Sequence, residues 1–293
     1  MSIQVIRCPA ELREHAFSLR AQGKRIGLVP TMGALHEGHL SLLRTIRPLC
    51  DVSVISIFVN PTQFGAGEDL DRYPRDEVAD LAMAAKSGVD LAFCPSPVQM
   101  YPRGYQTSIS LPTLSSALCG ATRPGHFDGV ATVVTKLWNA ALPHVSVFGE
   151  KDYQQLVILK QLAADLNLGI EVLGAPIVRE DDGLALSSRN VHLSSSERRQ
   201  ATSLRRGLGA ALQRYAEGAR DAATLLGAAK AVIGAAPLCT IEYLELCNAT
   251  TLEPIPYVNG PALLAVAGRF ARTRLIDNVL LTTSLSSTHI DET

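Results

Sequence analysis

Aromatic residues are scarce in this chain, 5% of 293 residues with Trp138 the single tryptophan. So few ring faces offer little for unpaired bases to stack on. The formal net charge of −1 supplies no basic field for a phosphate backbone. The composition therefore argues against nucleic acid as a partner, and equally against an anionic membrane surface. Long hydrophobic runs are missing too. The most apolar strand-like stretch, residues 52–59, is far shorter than the ~20 residues that cross a bilayer. No leader pattern opens the chain, which reaches Glu11, Arg13 and Glu14 before any long apolar run develops. A soluble, cytoplasmic protein is expected. None of Cys8, Cys50, Cys94, Cys119, Cys239 and Cys247 stands in a C-x-x-C pair, and contexts such as Leu91-Ala92-Phe93-Cys94 are apolar. Small buried thiols in a reducing compartment explain them better than a disulfide or zinc framework. No G-x-G-x-x-G follows the first strand, which excludes the usual dinucleotide-binding dehydrogenase. Internal repeats and low-complexity tracts are likewise lacking.

What is present is regular alternation. Over residues 1–177, strand-like runs alternate with helix-like ones. Arg25-Ile26-Gly27-Leu28-Val29-Pro30 is a short apolar run ending in a turn, and residues 40–46 carry apolar side chains at helical spacing. Residues 52–59 are β-branched and closed by Asn60-Pro61. Further helices are expected at 76–87 (stopped by Gly88), 128–141 and 153–166, and further strands at 89–94, 145–148 and 170–178. The fold class this predicts is α/β, a Rossmann-like doubly wound parallel sheet. Ligands in such sheets bind beyond the carboxyl ends of the strands, here after Val29, Val59 and Phe148. From residue 178 the pattern changes to helices at 196–215 and 220–233 and strands at 241–246, 262–266 and 274–281. This predicts a smaller C-terminal α+β domain over 178–293, with a polar, frayed tail at 284–293.

Five segments carry candidate chemistry. Pro30-Thr31-Met32-Gly33-Ala34-Leu35-His36-Glu37-Gly38-His39 follows a strand and opens a helix. A helix N-terminus offers unpaired N–H groups to a phosphate, Gly33 and Gly38 let a ligand approach the backbone, and two imidazoles can donate hydrogen bonds to phosphate oxygens. A metal pair and two incidental histidines are the other readings, and no third Cys, His or carboxylate ligand is obvious nearby. Phe58-Val59-Asn60-Pro61-Thr62-Gln63-Phe64 brings two neutral amides suited to a small hydroxy acid, or is an ordinary strand-ending turn. Tyr73-Pro74-Arg75 follows as a loop. Arg123-Pro124-Gly125-His126-Phe127-Asp128-Gly129-Val130 places Arg123 and His126 either in a site or on the surface. In it Asp128 is a candidate helix cap, while Phe127, like Trp138, reads as core. Phe148-Gly149-Glu150-Lys151-Asp152-Tyr153-Gln154-Gln155 again runs strand into helix, with Lys151 for phosphate and Gln155 one turn beyond Asp152. Leu184-Ala185-Leu186-Ser187-Ser188-Arg189-Asn190 is a phosphate clamp or a polar loop.

The H-x-G-H turn after a strand marks the nucleotidyltransferase superfamily. The five segments, in this order and spacing over about residues 20–195, resemble the pantothenate synthetase (pantoate–β-alanine ligase) family, as does Ala271-Arg272-Thr273-Arg274-Leu275-Ile276-Asp277-Asn278 near the end. The resemblance implies ATP as co-substrate with Mg²⁺, pantoate and β-alanine as substrates, an acyl-adenylate intermediate and a homodimer. It implies that Met32, Gly33, Ala34, Leu35, His36, Glu37, Gly38 and His39 bind ATP, with His39 as hydrogen donor. Gly149, Glu150, Lys151 and Asp152 bind it as well, and Val178, Leu186, Ser187, Ser188 and Arg189 complete that site. His36, His39, Lys151 and Arg189 are then the catalytic candidates. Gln63 and Gln155 hold pantoate, with Met32, Asn60, Tyr73, Arg123 and His126 in or around the pocket. Leu186 stands where the family usually has Met, a nearly volume-conserving exchange. A dinucleotide-forming adenylyltransferase and a non-catalytic nucleotide sensor are the competing readings. The two glutamines with the Gly149–Asp152 segment weigh against the first, and the presence of His39 and Lys151 against the second.

Overall fold

The structure, a computed structural model, describes residues 3–65 and 67–282. The tail expected to fray at 284–293 lies outside the described residues. The chain divides into two compact units. One is Met1–Glu180 with Leu186–Ser188, and the other is Asp181–Ala185 with Arg189–Thr293.

The first unit runs β1 (Gln4–Ile6), α1 (Pro9–Ala21), β2 (Ile26–Thr31), α2 (Glu37–Ile46), β3 (Val52–Ile57), α3 (Glu77–Lys86) and β4 (Leu91–Phe93). Three short helices follow, α4 (Pro97–Met100), α5 (Pro112–Ser115) and α6 (Leu118–Thr122). Then come α7 (His126–Ala141), β5 (Val145–Gly149), α8 (Tyr153–Asp165) and β6 (Glu171–Ala175). Among the described residues, six strands make one sheet in the order β1-β4-β3-β2-β5-β6, and every pairing is parallel. The central strands are buried on both faces, which is why 52–57 is rich in β-branched residues without a strict alternation. Leu42, Leu43 and Ile46 of α2 and Ala84 of α3 pack with Val29, Ile55, Ala92, Val145 and Val147 of the sheet. Helix α7 buries Val130, Val134, Leu137 and Trp138, and the Trp138 ring meets Phe148 edge-on at 6.4 Å. Phe127 and Trp138 are core, as their context suggested.

The second unit is α9 (Ser195–Ala201), α10 (Ser203–Ala216), α11 (Ala222–Gly234) and an antiparallel sheet β7 (Cys239–Asn248), β8 (Ala262–Phe270), β9 (Thr273–Leu281). Leu204, Leu208, Ala211 and Tyr215 of α10 recur at helical spacing. They form one core with Leu225, Ala229 and Ile233 of α11 and Leu264, Val266 and Phe270 of β8.

The structure departs from the sequence expectations in several places. The helix expected at 196–215 is two, because Ser194 caps α9 and a break falls at Thr202, whose hydroxyl bonds back to the Arg199 carbonyl at 2.9 Å. Helix α1 had no expectation; only Leu12 and Ala16 are buried in it, too faint a stripe to read. Helix α7 begins at His126 after the left-handed Gly125, so Asp128 sits in the first turn and is not its cap. Of the cysteines, Cys94, Cys119 and Cys247 are buried as expected of thiols in a core, but Cys8 is exposed. No helix is long and apolar enough to cross a membrane among the described residues.

Candidate active site

The chain leaves β2 towards β3 on one side and returns through β5 on the other, so the strand order reverses between β2 and β5. That reversal opens a crevice at the carboxyl ends of these two strands, where such sheets bind ligands. The turns leaving β2 and β5 there are residues 32–36 and 150–152.

The first turn is wired to itself. Gly33 and Ala34 both take left-handed backbone, φ 80 and 50, the second at a cost of about 1 kcal/mol for a residue with a Cβ. The N–H groups of Ala34 and Leu35 donate to the two carboxylate oxygens of Asp80 at 2.9 and 2.7 Å, and Asp80 is buried on α3. The Gly33 N–H donates to Thr31 Oγ1 at 3.2 Å. At the start of α2, the Gly38 N–H donates to His36 Nδ1 at 3.1 Å and the His36 N–H to His39 Nδ1 at 3.2 Å. The N–H groups of Gly33, Ala34, Leu35, His36 and Gly38 are thus each held by a side chain of the protein. The two glycines also serve the protein's own side chains. A Cβ on Gly33 would lie 2.8 Å from Asp80 Oδ2, and one on Gly38 2.8 Å from the His36 ring.

The wiring sets the imidazole tautomers. A ring nitrogen that accepts from a backbone N–H carries no proton, so neutral His36 and His39 both hold theirs on Nε2. The rings lie 4.2 Å apart. Burial, helped by the Lys151 charge and opposed by Asp152, lowers His36 to about 4. Burial, then His36 and Lys151, lowers His39 to about 3. At neutral pH the turn thus presents two uncharged Nε2–H donors, with the Lys151 ammonium close enough to act on both.

After β3 the two amides form a second fixed array. Asn60 is 1% exposed and donates through Nδ2 to the Gly129 carbonyl and to Gln63 Oε1, each at 3.1 Å. Gln63 donates in turn through Nε2 to Met32 Sδ at 3.1 Å. Arg123 grips both oxygens of Glu68 at 2.7 Å and donates to His126 Nε2 at 3.0 Å, so His126 gives its Nδ1–H to the Gln63 carbonyl at 2.7 Å. Arg123 and His126, read from sequence as site or surface residues, brace the Gln63 backbone. Burial and the Arg123 charge hold His126 down at about 4. Sequence reasoning missed Asp80 and Glu68, whose partners lie 45 and 55 residues away, and Tyr101, whose hydroxyl donates to Asn60 Oδ1 at 2.8 Å.

Of the adjacent glutamines, Gln154 is buried and ties down the α5–α6 segment through Cys119, Leu114 and Ala117, while Gln155 is partly exposed beside it. Asp152 precedes α8 without a side-chain cap bond, and nothing lies within 4 Å of a Cβ built on Gly149. Leu186 donates its N–H to the Val178 carbonyl at 3.0 Å and flanks Gly38, the start of α2. The hydroxyl of buried Tyr73 meets Ser188 Oγ at 3.5 Å. Leu186, Ser187 and Ser188 group with the first unit, and Arg189 with the second. Among the described residues no three His, Cys, Asp or Glu side chains are placed to hold a metal ion.

Two predictions follow from this wiring. The unfolded chain protonates its histidines near 6.5, while the fold refuses protons on His36 and His126 until about 4 and on His39 until about 3. Each lowered value contributes stability that is complete above pH 6.5 and is lost as pH falls from there toward 4 for His36 and His126 and toward 3 for His39. The urea midpoint is expected to drop between pH 7.5 and 5; a midpoint constant over that range overturns this. Gly129 lets α7 lie against the turn after β3, since a Cβ there would sit 2.4 Å from the Thr62 carbonyl and 2.7 Å from the Gln63 nitrogen. Gly129→Ala is expected to cost about 1–3 kcal/mol in stability by displacing the Thr62–Gln63 backbone. Unchanged melting would refute it.

A family model described as Pantoate-beta-alanine ligase matches residues 4–280. The pantothenate synthetase of Pelobacter propionicus is 53% identical over 271 residues, which cover 92% of this chain and 95% of that one. Among solved structures, pantothenate synthetase from Thermus thermophilus superposes with a TM-score of 0.90 at 43% identity, over 94% of this chain and 99% of that one. Pantoate-beta-alanine ligase from Francisella tularensis, solved with β-γ ATP and β-alanine, gives 0.79 at 33% identity, over 95% and 97%. The chain belongs to the pantoate–β-alanine ligase family, the pantothenate synthetases.

Proposed function

We propose that this enzyme condenses (R)-pantoate with β-alanine to pantothenate through pantoyl adenylate, converting ATP to AMP and pyrophosphate. The observation that carries the reading is the pair of neutral Nε2–H imidazoles at the strand-order reversal, with Lys151 beside them. The pantoate carboxylate attacks the α-phosphorus and pyrophosphate leaves. The β-alanine amine then attacks the acyl carbon and AMP leaves. A carboxylate is already a competent nucleophile, so positioning does much of the work in the first step. His36, His39, Lys151 and Arg189 stabilise charge building on the phosphates. Uncharged imidazoles suit this site, because Nδ1 stays an acceptor for the backbone N–H that aims each ring while Nε2–H donates to the ligand.

In this reading residues 32–39, Gly149, Glu150, Lys151, Asp152, Val178, Leu186, Ser187, Ser188 and Arg189 form the ATP site. Gln63 and Gln155 hold pantoate, with Met32 and Tyr73 along the pocket. Asn60, Arg123 and His126 act on Gln63 and so shape the acid site from behind. Mg²⁺ comes bound to the nucleotide and neutralises phosphate charge. The residues present suit a metal that needs no protein cage, because the carboxylates of Asp80 and Glu68 are engaged by N–H groups and by Arg123. We further propose that residues 178–293 act as a lid that keeps water from the adenylate, and that the enzyme is a cytoplasmic homodimer.

The test is product analysis with ATP, Mg²⁺ and pantoate, with and without β-alanine. AMP formation that requires both acids, with pyrophosphate released up to one equivalent of enzyme on pantoate alone, supports the reading. A dinucleotide product, or no turnover with pantoate, sinks it.

A further inference from the structure

We infer that Tyr101 is a positioning residue that acts through Asn60 to hold the Gln63 amide as a hydrogen-bond donor toward an acceptor oxygen of the acid substrate. The inference rests on the proposed acid site at Gln63. It starts from groups whose polarity is unambiguous. The Thr62 N–H can only donate, and it faces Asn60 Oδ1 at 3.4 Å. The Gly129 carbonyl can only accept, and it faces Asn60 Nδ2 at 3.1 Å. These two backbone groups fix which end of the Asn60 amide is which, so its remaining N–H must point at Gln63 Oε1, 3.1 Å away. Accepting that bond sets which way the Gln63 amide lies, so its NH₂ faces the other way, onto Met32 Sδ. A thioether is a weak acceptor, so a substrate oxygen that replaces it gains a better bond.

Tyr101 supplies the shortest bond to Asn60 Oδ1. Its hydroxyl donates to Asn60 Oδ1 at 2.8 Å, against 3.0 Å for Thr62 Oγ1. The ring is held in place from outside the site. It packs on Phe58 at 6.4 Å and edge-on to Tyr105 at 5.1 Å, and the Lys136 ammonium lies over both tyrosines, 5.6 and 4.6 Å from their centroids. Tyr101 thus anchors one end of a relay, Tyr101 to Asn60 to Gln63, whose far end is a donor of set direction. That end favours acids presenting a lone pair there and disfavours those presenting an N–H or O–H.

The experiment is a double-mutant cycle in the full enzyme with Tyr101→Phe, Gln63→Ala and the pair, which separates a relay from a local packing effect. The phenylalanine keeps the ring, and Thr62 keeps part of the Asn60 anchor. The single Tyr101→Phe change is therefore expected to lower kcat/KM for pantoate about three- to tenfold, the range of one neutral hydrogen bond. The KM for ATP should stay unchanged. In the Gln63→Ala background the Tyr101 penalty should vanish. A Tyr101→Phe enzyme with wild-type kcat/KM overturns the relay. So does a penalty that persists in full without Gln63, or one that falls equally on ATP and pantoate together with a lowered melting temperature. If the wild-type enzyme makes no AMP in response to pantoate, the acid-site reading itself fails, and the Tyr101 relay fails with it.

Discussion

Replacing His39 by alanine is expected to lower kcat about 100- to 1,000-fold, the usual cost of deleting one donor aimed at developing charge. His39 Nδ1 is occupied by the His36 N–H, which leaves Nε2–H as the only end that can serve a ligand. The low proton affinity set by burial, His36 and Lys151 keeps the ring neutral across the working range. The loss should therefore be the same at pH 6 and pH 8, with no limb near 6.5 from this ring. The fold should suffer little, because what is lost is one capping interaction at a helix start, worth about 1 kcal/mol. His39→Gln, which keeps an NH₂ but not its reach, should recover part of the rate. Single-turnover release of pyrophosphate from ATP and pantoate is the measurement. A variant within threefold of the wild type would remove His39 from the chemistry.

Much of the site was legible because its parts are local. The H-x-G-H turn, the amides after 52–57 and the Gly149–Asp152 segment each follow a strand whose composition is plain, and the alternation places all three at the carboxyl end of a parallel sheet. What could not be read is the wiring between segments. Asp80 sits in Asp76-Glu77-Val78-Ala79-Asp80, which reads as an ordinary charged helix start, and nothing local says that one of its carboxylates faces inward. Glu68 and Tyr101 lie in stretches without periodicity, and their partners are 55 and 41 residues away. The same gap hid how the first turn is wired, with His36 and His39 capping the helix start and Asp80 taking the donors just before it. The C-terminal helices were found by their Ala- and Leu-rich spacing, but the break at Thr202 depends on a side chain bonding its own backbone, which periodicity does not register.

Asp80 should be the most consequential residue that never meets substrate. Its carboxylate accepts two backbone N–H bonds from a turn that contains two consecutive left-handed residues. Each charge-assisted bond of this kind is worth about 1.5–3 kcal/mol, more than the strain at Ala34. Asp80→Asn keeps the size of the side chain but offers one acceptor where two are needed, and sets an NH₂ against the second N–H. The turn is then expected to relax away from its strained form, taking Met32 and His36 with it. A displacement of about 1 Å in such a turn is enough for roughly a hundredfold loss in rate. Asp80→Asn should therefore fall about 10- to 100-fold in kcat, and Asp80→Ala should lose about 2–4 kcal/mol of stability in addition. The separation matters: if Asp80 only supported the core, both variants would melt early and retain kcat in their folded fraction. Measured by thermal melting alongside kcat per folded enzyme, a fully active Asp80→Asn would show that the turn keeps its shape without the clamp. A slow but well-folded Asp80→Asn would show that the carboxylate holds the two imidazoles where the phosphates need them.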